Sequence, residues 1–370
     1  MTHRVFLAAS VGAAALLGAC EGNDSGSQAE AAEADLAEQG PYDESLDAPA
    51  DVVETAEAAR DPAVDAGRNG ETARAGGVSG SLREAHRAVL EAGEPSEDAW
   101  LQVSLNGEET PHPVWHAMVM PGETIEISAD DGFALSLDDA VITQTGDAHS
   151  WQAPSEPGVH TLRAFNTDRE VQHISIFVKK PLNGQTVLEG YRIGAYPENP
   201  PEGLIRLTEA DMDTPISPSF EIGQFICKQQ IGHWPKFIMT SGPMLKRLEL
   251  LLENLREDGR TNADTFFIMS GFRTPFYNTA IGSARRSRHM YGDASDIYPD
   301  VEGNDSVMDD LNNDGRVTRE DAEWLYDYAA RLYANSDEVV PGGIGAYGAN
   351  AVHGPFVHID GRGRAARWGR

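Results

Sequence analysis

From about Trp100 to Val178 apolar side chains tend to recur at every second position, the period of a strand with one covered face. Ile125 and Ile127 alternate with Glu126 and Ser128, and Ile174, Ile176 and Val178 alternate with Ser175 and Phe177. Asn106-Gly107, Pro121-Gly122 and Asp131-Gly132 separate the strands as turns. The pattern predicts a small antiparallel β domain over residues 98–180, an immunoglobulin-like sandwich. Lys179-Lys180-Pro181 and the proline-rich Tyr196–Pro201 mark a connector over 181–217. Beyond it the period lengthens. Pro243 opens a helix with Leu245, Leu248, Leu252 and Leu255 at helical spacing, a core stripe that Gly259 terminates. Thr265–Met269 reads as a buried strand, and Trp324, Leu325, Tyr328 and Leu332 belong to a later helix. This mixture predicts an α+β domain over 218–370.

Residues 20–97 sustain neither period, apart from a short helical spacing of Leu82, Ala85, Val89 and Leu90. Between 21 and 78, fifteen acidic side chains stand against three basic ones, Arg60, Arg68 and Arg74, and Tyr42 is the only aromatic. Such a stretch cannot bury enough apolar surface to offset its ordering entropy, so it reads as a disordered acidic tether. Ahead of it, Val5–Leu17 is an apolar run of signal-peptide length that closes with Leu17-Gly18-Ala19-Cys20. That ending resembles the lipobox of bacterial lipoproteins. It implies a signal peptide over 1–19, acylation of Cys20, and a place in the bacterial cell envelope. The chain would be held at a membrane by N-terminal acyl chains, facing the periplasm or cell wall.

Charge and size narrow the classes further. The 370 residues allow one to three domains at roughly 100–200 residues each. A formal charge of −30 repels a polyanion, which excludes nucleic acid as the expected partner. No apolar run approaches the length of a membrane span, so a multi-span protein is excluded. Cys20 and Cys227 cannot build a disulfide framework, and Cys227 reads as a small buried hydrophobe. His112, His116, His149, His160 and His173 match no ligand spacing and read as structural.

The chemistry gathers downstream. Ser270-Gly271-Phe272-Arg273-Thr274-Pro275 precedes Ser287-Arg288-His289-Met290-Tyr291-Gly292-Asp293-Ala294-Ser295-Asp296, and Phe356-Val357-His358-Ile359-Asp360 follows much later. Two histidines and a carboxylate leave a tetrahedral zinc one open position, as in catalytic sites. A lone His-x6-Asp says little, but the whole ordered string is specific. It resembles the zinc D-Ala-D-Ala carboxypeptidase and murein endopeptidase family, whose α+β fold is shared with the Hedgehog signalling domain. The resemblance covers about 215–370, beginning at Ile216-Ser217-Pro218-Ser219-Phe220. It implies His289, Asp296 and His358 as zinc ligands, and Arg273 as the residue that holds the substrate or polarises its scissile carbonyl. Ser287 and Asp360 match partners that orient imidazoles or the ligand strand. Peptidoglycan peptides are the implied substrate.

Peptide hydrolysis also needs a group to move a proton from water to the leaving amine. Many members carry Asp or Glu three residues before the last histidine, where this chain has Pro355. His353 is the nearest proton carrier, and Asp360 competes because alternate strand residues share a face. Between the second and third ligands, Asp310–Asp321 matches an EF-hand order of oxygens: Asp310, Asn312, Asp314, Arg316 (through its carbonyl), Thr318 and Asp321, with Gly315 at the turn. Asp at the last position resembles the dockerin-type variant. The reading is a structural calcium in an insertion over 300–335; an acidic turn capping the following helix is the alternative. Two functions follow. The first is a zinc peptidase cutting peptidoglycan stem peptides or crosslinks, favoured by His289, Asp296 and Arg273. The second is a silent zinc- and calcium-binding cell-wall adhesin, favoured by Pro355.

Overall fold

The computed structural model describes residues 103–129, 134–138, 140–142, 149–166, 169–301 and 306–369. The segments expected as a signal peptide and an acidic tether, with Cys20, lie outside them.

Period-two alternation here closes into two facing sheets. Their strands are β1 (Val103–Leu105), β2 (Glu108–Glu109), β3 (Val114–Val119), β4 (Thr124–Ala129) and β5 (Ala134–Leu137). After these come β6 (Ala140–Ile142), β7 (His149–Gln152), β8 (Gly158–Asn166) and β9 (Arg169–Val178). One sheet runs β2-β1-β4-β7 and the other β3-β9-β8-β5-β6. Ile125 and Ile127 from the first meet Leu162, Ile174 and Ile176 from the second in one core.

The expected antiparallel domain fails at one ladder. β3 and β9 pair in parallel, from Val114 opposite His173 to Val119 opposite Val178. Period two reports which face a side chain takes, not the direction of the neighbouring strand. The polar-looking side of β9 is covered as well. Phe177 and Trp115 are buried in a second core with Leu204, Ile216 and Leu245. Ser175 Oγ donates to the Pro215 carbonyl at 2.7 Å, and His116 Nδ1 donates to the Ile216 carbonyl at 2.9 Å. The central strands of this sheet therefore serve two cores at once.

Residues 181–217 differ from a bare connector. They contribute to β10 (Lys180–Pro181) and form β11 (Val187–Leu188), β12 (Tyr191–Arg192), β13 (Gly203–Leu207) and β14 (Pro215–Ser217). β15 (Phe220–Glu221) pairs with β14, while β16 (Lys236–Ile238) joins β10 and β13 in a three-stranded sheet.

The leucine stripe forms α1 (Gly242–Glu257), where the Ser241 hydroxyl caps the Met244 amide and Leu245, Leu248, Leu252 and Leu255 are buried. Then come β17 (Phe267–Ser270), α2 (Pro275–Ala280), β18 (Ala294–Tyr298), α3 (Arg319–Ala334), β19 (Gly343–Tyr347), β20 (Phe356–Asp360) and β21 (Ala366–Trp368). In α3 the buried face is Leu325, Tyr326, Ala329 and Tyr333, with Trp324, Tyr328 and Leu332 at its margin.

The last five strands form the sheet β17-β18-β20-β19-β21, on which α1 and α3 pack. Ile297, Val357, Ile359 and Ile344 are buried in the shared core, and Ser295 on the same side of β18 reaches Met244 of α1. Asp296, His358 and Asp360 take the opposite face, because side chains alternate along each strand.

Candidate metal centre

The sheet register brings two of the expected ligands together. Asp296 lies directly opposite His358 across the β18–β20 ladder, and Ser270 lies opposite Asp296 on its other side. Directly opposed residues of an antiparallel pair share a face. His289 comes from outside the sheet, on the 3-10 turn Arg288–Tyr291. That turn ends in Gly292 at φ 65°, where a Cβ would stand 2.2 Å from the Met239 carbonyl oxygen. Only glycine fits so tight a reversal.

Three potential ligand atoms converge. His358 Nδ1 is 2.8 Å from Asp296 Oδ1, His289 Nε2 is 3.3 Å from that oxygen, and the two nitrogens are 3.2 Å apart. Among the described residues this is the one group of histidine, cysteine or carboxylate side chains so gathered. The outer nitrogens are already committed. His289 Nδ1 donates to the Gly271 carbonyl at 2.7 Å, and His358 Nε2 donates to Asp360 Oδ2 at 3.2 Å. With those protons placed and both rings neutral, the inner atoms would turn lone pairs to one point, where a cation could accept them. Second partners of this kind orient metal-binding imidazoles. The donor set of two neutral imidazoles and one carboxylate suits zinc.

Arg273 completes the surroundings. Its guanidinium donates to Asp296 Oδ2 at 2.6 Å, Ser270 Oγ at 2.8 Å and Ser283 Oγ at 3.2 Å. One carboxylate oxygen is thus given to Arg273 and the other to the imidazoles. Burial, then the Arg273 charge, lowers the His289 pKa to about 4 against the opposing pull of Asp296. Burial alone would raise Asp296, but the charges of His289 and Arg273 and its hydrogen bonds hold it well below the usual carboxylate range. Burial likewise opposes the charged form of His358, yet its bonds to Asp296 and Asp360 outweigh that and raise it. Asp360 is held far below its ordinary value by His358 and Arg362, again against burial.

Other expected site residues stand elsewhere. His353 sits on the hairpin between β19 and β20, its Nδ1 donating to the Gly354 carbonyl at 2.7 Å and its Nε2 accepting from Asn350 at 2.8 Å. His353 is not one of the three converging ligand atoms, and both of its ring nitrogens are engaged within its own hairpin. The Ser287 hydroxyl makes no cap hydrogen bond, and the imidazole of His289 is oriented instead by the Gly271 carbonyl. A backbone acceptor leaves no letter in a sequence, but the glycine itself is a signal. A Cβ on Gly271 would lie 2.6 Å from Phe225 Cα, so the close approach demands its absence.

In the 310–321 loop the expected oxygens accept backbone amides. Asp310 accepts from the Asp314 and Gly315 amides, Asn312 from the Asp314 amide, and Asp314 from the Arg316 amide. Asp321 is fully buried and accepts from the amides of Leu311, Asn312 and Thr318, while Thr318 Oγ1 caps Glu320. These oxygens form turns and the α3 cap, as the alternative reading of the loop expects, and among the described residues its carboxylates are not gathered into a metal-holding group. Cys227 is buried as expected, and burial raises its thiol pKa.

No curated protein and no solved structure matches the chain. Residues 230–315, which carry Arg273, His289 and Asp296 but not His358, match the family model described as Peptidase M15, and in that segment the chain is similar to peptidases of the D-Ala-D-Ala carboxypeptidase type.

Proposed function

We propose that this chain is a zinc-dependent peptidase that hydrolyses peptidoglycan stem peptides or crosslinks at the bacterial cell envelope. The observation that carries the proposal is the convergence of His289 Nε2, Asp296 Oδ1 and His358 Nδ1 with both outer imidazole protons already committed. Those three residues would hold the ion. Zinc bound there supplies Lewis acidity toward a peptide carbonyl and toward water. Arg273 keeps Asp296 ionised and aimed. Its two remaining N–H groups can meet a substrate oxygen, the role the resemblance implies. Digesting purified sacculi with the protein, with and without chelator, and identifying released muropeptides tests the proposal. Chelator-insensitive release, or none from zinc-loaded protein, refutes it.

One observation favours a second reading, a domain that binds zinc and cell wall without cutting. Both ring nitrogens of His353 are engaged within its hairpin, and Asp360 is engaged with His358, Arg362 and the Gly343 amide, so neither stands free to carry a proton. Sedimentation of the protein with sacculi that stay undigested would select this reading. The proposed anchor is Cys20, and Cys20→Ser should release the protein from membranes; unchanged partitioning would remove the anchor from the proposal. For the 310–321 loop we propose a cap for α3 that folds without calcium, supported by the amides its oxygens hold.

A further inference from the structure

The row across the sheet does not stop at His358. Gly345 of β19 lies opposite His358, and Trp368 of the parallel strand β21 lies beside Gly345. A Cβ on Gly345 would stand 2.2 Å from Trp368 Nε1, so the missing side chain is the space that the indole fills. From there the indole meets the His358 ring with centroids 5.2 Å apart, and its N–H donates to Tyr347 Oη at 2.7 Å. The Arg362 guanidinium carbon stands 5.1 Å from the Trp368 ring centre. That same guanidinium donates from Nε to both Asp360 oxygens, at 2.8 and 2.9 Å, and from Nη2 to Oδ2 at 2.5 Å. Asp360 in turn accepts from His358 Nε2. Four side chains close a circuit: His358, Asp360, Arg362, Trp368 and back to His358.

We infer that Arg362 and Trp368 are positioning residues that fix His358 as a metal ligand, which makes the segment Arg362–Trp368 part of the metal centre. The inference rests on the reading of His289, Asp296 and His358 as that centre. Its residues lie beyond the stretch similar to Peptidase M15. Asp360 is a fully buried carboxylate near a second one, Asp296, with His358 between them. Arg362 holds the Asp360 carboxylate in place, with Oδ2 turned to His358 Nε2. His358 then keeps its proton on Nε2 and directs the Nδ1 lone pair at Asp296 and His289. The indole covers the imidazole and restricts its tilt. Neither Arg362 nor Trp368 has an atom in the group itself; both act through His358.

The test uses the full chain. Zinc affinity is measured by competition with a chromophoric chelator, and ligand geometry by the visible spectrum of the cobalt-loaded protein. Arg362→Gln and Trp368→Leu should each weaken zinc by about 10–100-fold and alter the cobalt spectrum. Trp368→Phe, which keeps a ring over Gly345, should recover most of that affinity. The exposed neighbour change Arg364→Gln should leave both readouts where they were. Unmutated protein that binds no zinc would refute the metal centre itself. Zinc-competent protein in which Arg362→Gln and Trp368→Leu match the unmutated affinity and spectrum would overturn this inference alone. If either severe variant does not fold, Arg362→Lys is read by cobalt spectrum in its place. A shift supports the clamp, and an unchanged spectrum overturns it.

Discussion

Arg273 holds Oδ2 of Asp296 at 2.6 Å, and that bond leaves Oδ1 alone to face His289 and His358. The ligand carboxylate is therefore aimed by a cation that is itself tied to Ser270 and Ser283. Arg273→Gln keeps a donor but removes the charge and the fork. Zinc affinity should fall by about 10–100-fold, together with any peptidase activity. Breaking a buried ion pair should also cost about 3–5 kcal/mol of stability in the metal-free protein. A variant with unaltered zinc affinity and only a raised KM would show that Arg273 serves substrate alone.

Gly271→Ala tests the backbone side of the site. Its new Cβ would press on Phe225 Cα at 2.6 Å and on the Phe225 carbonyl oxygen at 2.8 Å, so the strand end or the Ile222–Phe225 turn must move. The Gly271 carbonyl that holds His289 would move with it. We expect a loss of about 1–3 kcal/mol from overpacking, with weaker zinc binding. Chemical denaturation and zinc titration of the same variant check it. A destabilised protein with undiminished zinc affinity would show that the carbonyl does not orient His289.

His116 sets a pH dependence at the contact between the sandwich and the second core. Burial, despite the bond to the Ile216 carbonyl, lowers its pKa from 6.5 to about 4. Between those values the unfolded chain takes up a proton that the folded chain refuses. Its contribution is therefore complete above pH 6.5 and declines as pH falls toward 4, by on the order of 3 kcal/mol. His116→Gln removes that slope. The stability difference between the two proteins should shift in favour of the variant as pH falls across this window. A difference that stays constant with pH would mean His116 titrates normally.

The loop 310–321 should answer to its cap and not to calcium. Asp321→Ala strands three backbone amides at the start of α3, a loss of at least about 2 kcal/mol. Calorimetry of the chelator-treated, unmutated protein should show the same melting temperature before and after calcium is added in the millimolar range. A calcium-dependent rise would put a cation back among Asp310, Asp314 and Asp321.

The parts of the site written in side chains were legible. His289, Asp296, His358 and Arg273 fall in ordered motifs, and the sheet register makes neighbours of residues 62 apart in the chain. What escaped was written in backbone or in space. The Gly271 carbonyl has no side chain to announce it. His353 is close to His358 in sequence, yet its ring is engaged locally, which no spacing announces. Phe177 alternates correctly with Ile176 and Val178, but alternation alone could not say that its own side meets a second core. Trp368 and Gly345 fit each other through a parallel pairing that no local pattern encodes.

The parallel ladder between β3 and β9 also gives the molecule a mechanical direction. The chain enters β3 at Val114 and leaves β9 at Val178, which lie at opposite ends of the paired strands. A pull between those two points drags the strands past each other lengthwise. The cross-strand hydrogen bonds then share the load and yield together, where an antiparallel hairpin pulled at its open end would unzip one pair at a time. The residues bearing that load, His116, Ser175 and Phe177 among them, are the same ones that seat the sandwich against the second core. Tension strong enough to part this seam would separate the two halves in the same event, and single-molecule stretching from the two ends should record it as one force peak.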